Sequence, residues 1–141
     1  MVQQFVVFQL NNEEYALPVQ AVREITKLTD ITPVPHSPAY VKGIINLRGI
    51  AMPVIDIHRR LGIPRSHCTL GLIAEVNGNP LCLAVNAVKE VSVLGDIQPP
   101  PPIVTSSFIV GIVNLPDRLV MMLQLESIVC EEEYQALAVL A

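Results

Sequence analysis

Short apolar runs broken by turn-forming residues make up most of this chain. Alternating or β-branched apolar positions are typical of strands, and Gly, Pro and Asn between them indicate turns. In the first half the pattern predicts strands over residues 4–10 and 15–17, a helical turn over 18–22, a strand from residue 24, a strand hairpin over 41–57 and a short helix over 56–61. In the second half it predicts strands near residues 70–76, 81–85, 111–115 and 119–125.

The hairpin between Val41 and Ile57 has the most distinctive tip. Two apolar runs flank the tetrapeptide L-R-G-I at positions 47–50, and Gly49 can adopt the positive φ that a tight hairpin turn needs. Arg48 stands at the tip with five N–H donors, and an arginine cannot lose its proton to act as a base. The pattern therefore favours a binding residue over a catalytic one.

An internal repeat relates the two halves of the chain. The segment V-Q-A-V-R-E-I at residues 19–25 recurs as V-N-A-V-K-E-V at 85–91, an offset of 66 residues. The match resumes at an offset of 68, where G-I-I-N-L at 43–47 meets G-I-V-N-L at 111–115. About five strands in each copy are too few for an open sheet to cover a core, so we predict two small barrels. The pseudo-repeat halves are approximately 1–65 and 66–141, and strands could be exchanged between the barrels.

Four segments of the first half resemble the CheW family of chemotaxis coupling proteins. They are V-Q-A-V-R-E-I at 19–25, D-I-T-P-V-P at 30–35, K-G-I-I-N-L-R-G at 42–49 and P-V-I-D-I at 53–57. The resemblance implies one CheW-like domain over residues 1–141, with an all-β fold of two pseudo-symmetric, five-stranded SH3-like barrels, short helices and a C-terminal helix. It also implies a non-enzymatic adaptor between methyl-accepting chemoreceptors and a CheA-type histidine kinase.

The resemblance further implies two binding surfaces. Glu24 and Arg48 would form the polar part of a receptor site, and Val22, Val85 and Val88 would line an apolar groove suited to an amphipathic helix, with core packing as the alternative for the valines. The residues expected at the kinase surface are Leu47, Gly49, Ile50, Met52, Arg59, Arg60 and Ile63. Core packing is also the alternative for three apolar residues of the kinase surface, Ile50, Met52 and Ile63.

The repeat helps to separate structural from functional positions. Gly43, Asn46 and Glu24 recur in the second copy, so the shared fold is a sufficient explanation for them. Arg48 is matched by Pro116, so the fold does not require an arginine there. A functional role is therefore favoured for Arg48.

Charge is distributed unevenly. Residues 1–66 carry seven Lys/Arg against five Asp/Glu, a net +2, and residues 67–141 carry two against eight, a net −6, which together give the chain's −4. This asymmetry favours head-to-tail contacts. The resemblance to the CheW family implies that the protein, a monomer alone, forms rings with the regulatory domain of the kinase. A mildly acidic chain without a basic face is a poor nucleic-acid binder.

The remaining features indicate the cytoplasm. Three cysteines, Cys68, Cys82 and Cys130, without a secretory leader make disulfides unexpected. The longest uncharged run, between Asp96 and Asp117, contains five prolines and does not suit a membrane helix, so membrane contact is expected only through a partner. In the tail, one helical face is expected to cap a barrel end; it carries Cys130, Tyr134, Leu137, Ala138 and Ala141.

Residues with reactive side chains lack the spacing of a catalytic or metal site. His58, His67, Cys68 and Cys82 show no CxxC, HxxxH or HExxH pattern, and no metal or cofactor is expected. Asp56 could pair with His58, but capping of the next helix is the better explanation. Three alternatives remain: a coupling protein of a pilus-motility or other chemosensory pathway, a small β-barrel hydrolase using Asp56 and His58, and an oligonucleotide-binding barrel.

Overall fold

The computed structural model describes residues 3–103 and 107–129, and the prediction of an all-β protein is confirmed. The elements in this range are β1 Gln4–Leu10, β2 Glu13–Pro18, β3 Val22–Lys27, β4 Val41–Leu47, β5 Ile50–Asp56, α1 Ile57–Leu61, β6 Leu70–Val76, β7 Asn79–Val85, β8 Ala87–Val93, β9 Ile97–Gln98, β10 Ile109–Asn114, β11 Leu119–Leu123 and α2 Leu125–Ile128. A 3-10 turn, Val19–Ala21, joins β2 to β3. The helical face predicted for the tail begins at residue 130 and lies outside the described residues.

The strands form two sheets. Sheet 1 has the order β3-β6-β7-β5-β4, and sheet 2 has the order β8-β1-β2-β11-β10-β9. We call residues 22–85, which carry sheet 1, subdomain 1, and residues 4–18 with 87–123, which carry sheet 2, subdomain 2. The two sheets fit the two SH3-like units of the prediction.

The two sheets do not follow the boundary between the sequence halves. The first hairpin of each half is exchanged, because β1 and β2 lie in sheet 2 while β6 and β7 lie in sheet 1. The exchange is completed by parallel contacts of β2 with β11 and of β7 with β5. Each sheet therefore needs strands from both sides of the 65/66 boundary.

The sequence repeat is reproduced in strand register. Pairs in sheet 1 have counterparts in sheet 2 at the offsets of 66 and 68: Val22↔Ala74 with Val88↔Phe8, and Gly43↔Val54 with Gly111↔Met122. The strand register also shifts at equivalent places in the two sheets: just after Val22 and Val88, and just before Gly43 and Gly111. The two subdomains are thus equivalent in connectivity and register.

In the described part of the chain, buried apolar side chains form three clusters. One cluster lies in each subdomain, with Val7 and Val120 in subdomain 2 and Cys82 in subdomain 1 among their members. The third and largest lies between the exchanged hairpins, where Phe8 and Leu83 are fully buried. Because apolar burial is the main stabilising term in folding, the shared cluster ties the stability of one subdomain to that of the other.

Gly43 permits a close approach between β4 and the loop before it. Its φ is 151°, and a Cβ at this position would overlap the carbonyl of Thr32. Thr32 exchanges two backbone hydrogen bonds with Ile44 at 2.9 and 2.8 Å. Gly111 faces Ile97 in the matching place of sheet 2, so the fold explains why this glycine recurs.

Helix α1 has the predicted caps. Asp56 Oδ1 accepts a hydrogen bond from the backbone N–H of Arg59 at 3.2 Å. Gly62 ends the helix in the left-handed conformation, with φ 75°. The prediction that Asp56 caps the helix is confirmed.

Candidate functional site

The tip of the β4–β5 hairpin is a tight two-residue turn. Its φ angles are 50° at Arg48 and 86° at Gly49. Asn46 braces the turn, because its Oδ1 accepts the N–H of Gly49 at 2.9 Å. Turns of this kind favour Asn, Asp or Gly, so an arginine in the left-handed region carries strain of about 1–2 kcal/mol. Strain of this kind is concentrated at functional sites.

Arg48 forms an ion pair with Glu24 of β3. Its Nη2 lies 2.5 Å from Oε2 of Glu24, and the two side chains are 70% and 33% exposed. Strands β3 and β4 are the outer strands of sheet 1, so the pair joins the two edges of the sheet. The structure thus brings together the two charged residues predicted for the receptor site.

The pair lies at a surface depression of about 370 Å³. Its lining combines charged and apolar residues: Arg23, Glu24, Leu47, Arg48, Ile50, Met52, Ile73, Glu75, Gly78 and Pro80. Arg23 and Glu75 form a second ion pair there. Ile50 is 53% exposed, whereas Met52 is 3% exposed and packs mainly in the cluster of subdomain 1. Residues predicted for the receptor surface and for the kinase surface therefore share one depression.

The predicted valine groove is not formed as expected. Val85 is fully buried in the cluster between the subdomains, so it cannot line an open groove. Val22 and Val88 are partly buried and pack against the same cluster. Core packing, the alternative for these residues, describes Val85 fully, whereas Val22 and Val88 pack against the cluster with part of their surface exposed.

The other residues predicted for the kinase surface are dispersed. Arg59 is exposed, and Gly49 is exposed in the hairpin turn. Ile63 is partly buried against the shared cluster, in line with its core alternative. Gly49 belongs to the hairpin itself, whereas Arg59 and Ile63 are not among the residues that line the depression.

Arg60 makes contacts inside the molecule. Its Nε donates to the carbonyl of Ile128 at 2.8 Å, and its guanidinium carbon lies 4.4 Å from the ring centre of Tyr40 and 5.6 Å from that of Phe108. Tyr40 and Phe108 are equivalent positions of the repeat, so Arg60 contacts both copies. Its role in the structure is to connect the subdomains.

Subdomain 2 contains an ion pair that corresponds to Glu24–Arg48. Arg118 in the β10–β11 turn lies 2.8 Å from Glu90, the counterpart of Glu24, and 2.9 Å from Glu14. Sequence comparison matched Arg48 with Pro116 and missed this pair, because the second arginine stands two residues later in a different turn. Arg48 is therefore distinguished by its hairpin conformation and depression rather than by the ion pair itself.

A polar network of partly buried and exposed residues surrounds His58, the buried candidate for acid–base chemistry. Asn86 Oδ1 accepts the N–H of Asn11 at 2.6 Å and lies 2.8 Å from Nε2 of His58. An oxygen that accepts from both requires His58 to carry its proton on Nε2. The proton of Ser66 is donated to Asn11 Oδ1 at 2.8 Å, so His58 is not placed to accept it.

The thiols of Cys68, beside this network, and of Cys82, in the cluster of subdomain 1, are also poorly suited to nucleophilic attack. Burial raises the pKa of Cys68, an effect that Lys42 opposes and Asp56 reinforces. Burial raises the pKa of Cys82 to about 12. Because the thiolate is the reactive form, both side chains are unreactive near neutral pH. Among the described residues, no group of three His, Cys, Asp or Glu could hold a metal ion.

Comparison with known proteins decides the family. The CheW-like domain family matches residues 4–133. The chain belongs to the CheW-like family. It is 35% identical to the chemotaxis protein CheW of Rhizobium meliloti (strain 1021), with 94% of this chain and 91% of the relative covered. It is 31% identical to the chemotaxis protein CheW of Treponema pallidum (strain Nichols), covering 96% and 86%.

A solved structure agrees with the fold of this CheW-like chain. The scaffolding protein TtCheW from Thermoanaerobacter tengcongensis is 35% identical and superposes with a TM-score of 0.84, covering 94% of this chain and 96% of the other. The predicted family is thus confirmed by sequence and by fold. Within the described part of the chain, no helix has the length and apolar character needed to span a bilayer.

Proposed function

We propose that this CheW-like protein is a non-enzymatic adaptor that couples methyl-accepting chemoreceptors to a CheA-type histidine kinase in the cytoplasm. Its similarity to chemotaxis proteins and to a scaffolding protein supports this role. The observation that carries the proposal is the Glu24–Arg48 pair beside a partly apolar depression. Such a surface offers both charge-assisted hydrogen bonds and apolar contact area to a protein partner.

The receptor's cytoplasmic tip is the proposed partner of Glu24 and Arg48. Both residues are accessible, and the strained turn holds Arg48 in a fixed direction. Binding would exchange part of the internal ion pair for contacts with the receptor. Since an exposed pair contributes only about 0–1 kcal/mol, this exchange costs little.

Leu47 and Ile50 are the proposed apolar contacts of the kinase's regulatory domain. They lie at the same depression, with Ile50 more than half exposed, and Arg59 adds an exposed positive charge. The difference in net charge is larger between the two subdomains than between the two sequence halves, and this larger difference supports head-to-tail assembly more strongly. Residues 22–85 carry seven Lys/Arg against four Asp/Glu, a net +3, and the rest of the chain carries two against nine, a net −7.

A coupling protein of a pilus-motility or other chemosensory pathway would use the same surfaces. The identity of the captured receptor and kinase distinguishes the pathways. The polar network counts against a hydrolase, because His58 and Asp56 are 1% and 2% exposed and the nearby hydroxyl of Ser66 donates its proton to Asn11 rather than to His58. The acidic balance counts against an oligonucleotide-binding role.

The test is a pull-down with a purified receptor tip and, separately, with the kinase's regulatory domain. Arg48→Glu should fold normally and lose receptor binding. Arg48→Gln and Arg118→Gln form a matched pair, since each removes the arginine of one of the two corresponding ion pairs; only the first should weaken receptor capture. The double variant Glu24→Arg/Arg48→Glu restores an ion pair in reverse and should still fail to bind. Equal receptor capture by Arg48→Glu and the parent protein would remove Arg48 from the site.

Ile50→Ser addresses the kinase surface. It should reduce capture of the regulatory domain, and the effect on receptor capture shows whether the two partners share the depression. Undiminished capture of the regulatory domain would place the kinase contact elsewhere.

A further inference from the structure

Asn86 lies at the point where the chain crosses from sheet 1 to sheet 2, between β7 and β8. Its side chain contacts both subdomains. Oδ1 accepts the N–H of Asn11, in the β1–β2 turn of subdomain 2, at 2.6 Å, and lies 2.8 Å from Nε2 of His58, in α1 of subdomain 1. We propose that Asn86 is a positioning residue that fixes the orientation of the two subdomains relative to each other.

Every hydrogen bond around Asn86 has a defined direction. A backbone N–H can only donate, so the Asn11 contact fixes which end of the Asn86 amide is the oxygen. The amide nitrogen then donates to Ser66 Oγ at 2.8 Å and to the carbonyl of His67 at 3.3 Å. The backbone N–H of Asn86 donates to Gln9 of β1 at 3.0 Å. One residue thus ties a hairpin of subdomain 2 to the helix and loop of subdomain 1.

Asn11 reinforces the same connection. Its Nδ2 donates to the carbonyl of Pro64 at 2.9 Å, and its Oδ1 accepts from Ser66 at 2.8 Å. His58 is 1% exposed and Asn86 is partly buried, so the bond between them is partly shielded from water. Removing one partner of a buried hydrogen bond leaves the other unsatisfied, which makes the network sensitive to the loss of Asn86.

The repeat provides an internal comparison. At the offset of 66 residues Asn86 corresponds to Gln20, which lies at the other crossing, between β2 and β3. Gln20 is exposed, and in the described part of the chain its side chain bonds only to Gln3 of the N-terminal segment. The fold that the two copies share therefore does not require a polar side chain to connect the subdomains where the chain crosses between the sheets. The connection at Asn86 is specific to one side of the molecule.

The consequence for assembly rests on the proposed function. If the adaptor binds a receptor and a kinase at the same time, the angle between its subdomains sets the relation between the two partners. Loss of Asn86 should then leave each separate affinity unchanged while reducing assembly of the three-component complex.

The orientation itself is tested without any partner. Spin labels at Lys27→Cys in β3 and Gln98→Cys in β9, in the full chain with Cys130→Ser, report the distance between subdomains by pulsed electron resonance; Cys68 and Cys82 are buried and remain unlabelled. Asn86→Ala should broaden the distance distribution. Gln20→Ala should leave it narrow. Asn86→Asp keeps oxygens for Asn11 and His58 and should restore the narrow distribution.

A narrow distribution for Asn86→Ala, or equal broadening by Gln20→Ala, would overturn the proposal. If Asn86→Ala does not unfold cooperatively, Asn86→Ser serves instead, because its hydroxyl is too short to reach Asn11 and His58 together. Loss of receptor capture by the parent protein would contradict the proposed function alone, since the distance measurement does not depend on a receptor.

Discussion

Replacing Arg48 by asparagine should raise stability while removing receptor binding. Arg48 has φ 50° at the first position of a two-residue hairpin turn, followed by Gly49 with φ 86°. Asn-Gly is the dipeptide that such turns favour most strongly, because asparagine tolerates the left-handed region. Arg48→Asn should therefore relieve strain of about 1–2 kcal/mol.

The same substitution removes the ion pair with Glu24. Because Arg48 is 70% exposed, that loss is small, about 0.2–1 kcal/mol. The net effect should be a gain of roughly 1 kcal/mol, which corresponds to a few degrees in Tm for a chain of this size. Arg48→Ala is the control, because alanine loses the ion pair but keeps the unfavourable φ, and it should be less stable than the parent protein.

Urea unfolding followed by circular dichroism measures all three proteins, and the receptor pull-down is run on the same samples. We expect Arg48→Asn to be the most stable, the parent protein to come next and Arg48→Ala to be the least stable, with receptor capture by the parent alone. An asparagine variant no more stable than the alanine variant would refute the strain argument. Receptor capture by the asparagine variant would show that the arginine side chain is not needed for binding.

Three further predictions concern the rest of the chain. Fragments 1–65 and 66–141 should each be unfolded in isolation but should regain native circular dichroism when mixed, because each sheet needs strands from both; a cooperative melt of either fragment alone would contradict this. Arg59→Glu should weaken binding to the regulatory domain, and the loss should be larger at low salt than at high salt. Equal binding by the variant and the parent protein at both salt concentrations would contradict this. Arg60 is left unchanged because it connects the subdomains. The thiol of Cys82 has a pKa raised by burial from 9.0 to about 12, so its stabilising contribution is complete below pH 9 and is lost as pH rises toward 12. Cys82→Ala should therefore show less alkaline destabilisation above pH 9, and an unchanged pH profile would count against that role.

Much of the fold could be predicted because local patterns determine it. The strands β1 and β6 have the predicted bounds, and Asp56 and Gly62 end α1 as their capping chemistry requires. The exchange of hairpins could not be predicted in this way. Periodicity shows which face of a strand is apolar, but both faces of β1, β2, β6 and β7 are apolar here, and the repeat makes either pairing partner equally compatible.

The candidate site was predicted in part. The tip position of Arg48 follows from turn chemistry, and its pairing with Glu24 is in the structure as the family resemblance implied. Val85 is buried rather than at an open groove, and Arg60 also makes contacts between the subdomains, which the sequence does not reveal. Asn86 was overlooked because a single asparagine between strands carries no pattern. Only the contrast with Gln20, its counterpart in the repeat, distinguishes it.

Exchanged hairpins also affect how the chain is made on the ribosome. Glu14 of β2 pairs with Val120 of β11, a partner synthesised 106 residues later. At translation rates of about 5–20 residues per second, the first hairpin waits roughly 5–20 s for that strand. Subdomain 1, by contrast, is complete within one continuous stretch, residues 22–85, and can begin to form earlier. One face of this hairpin can be covered by β6 and β7 once residue 85 is made, but the face with Val7 and Ala16 stays uncovered until β10 and β11 follow.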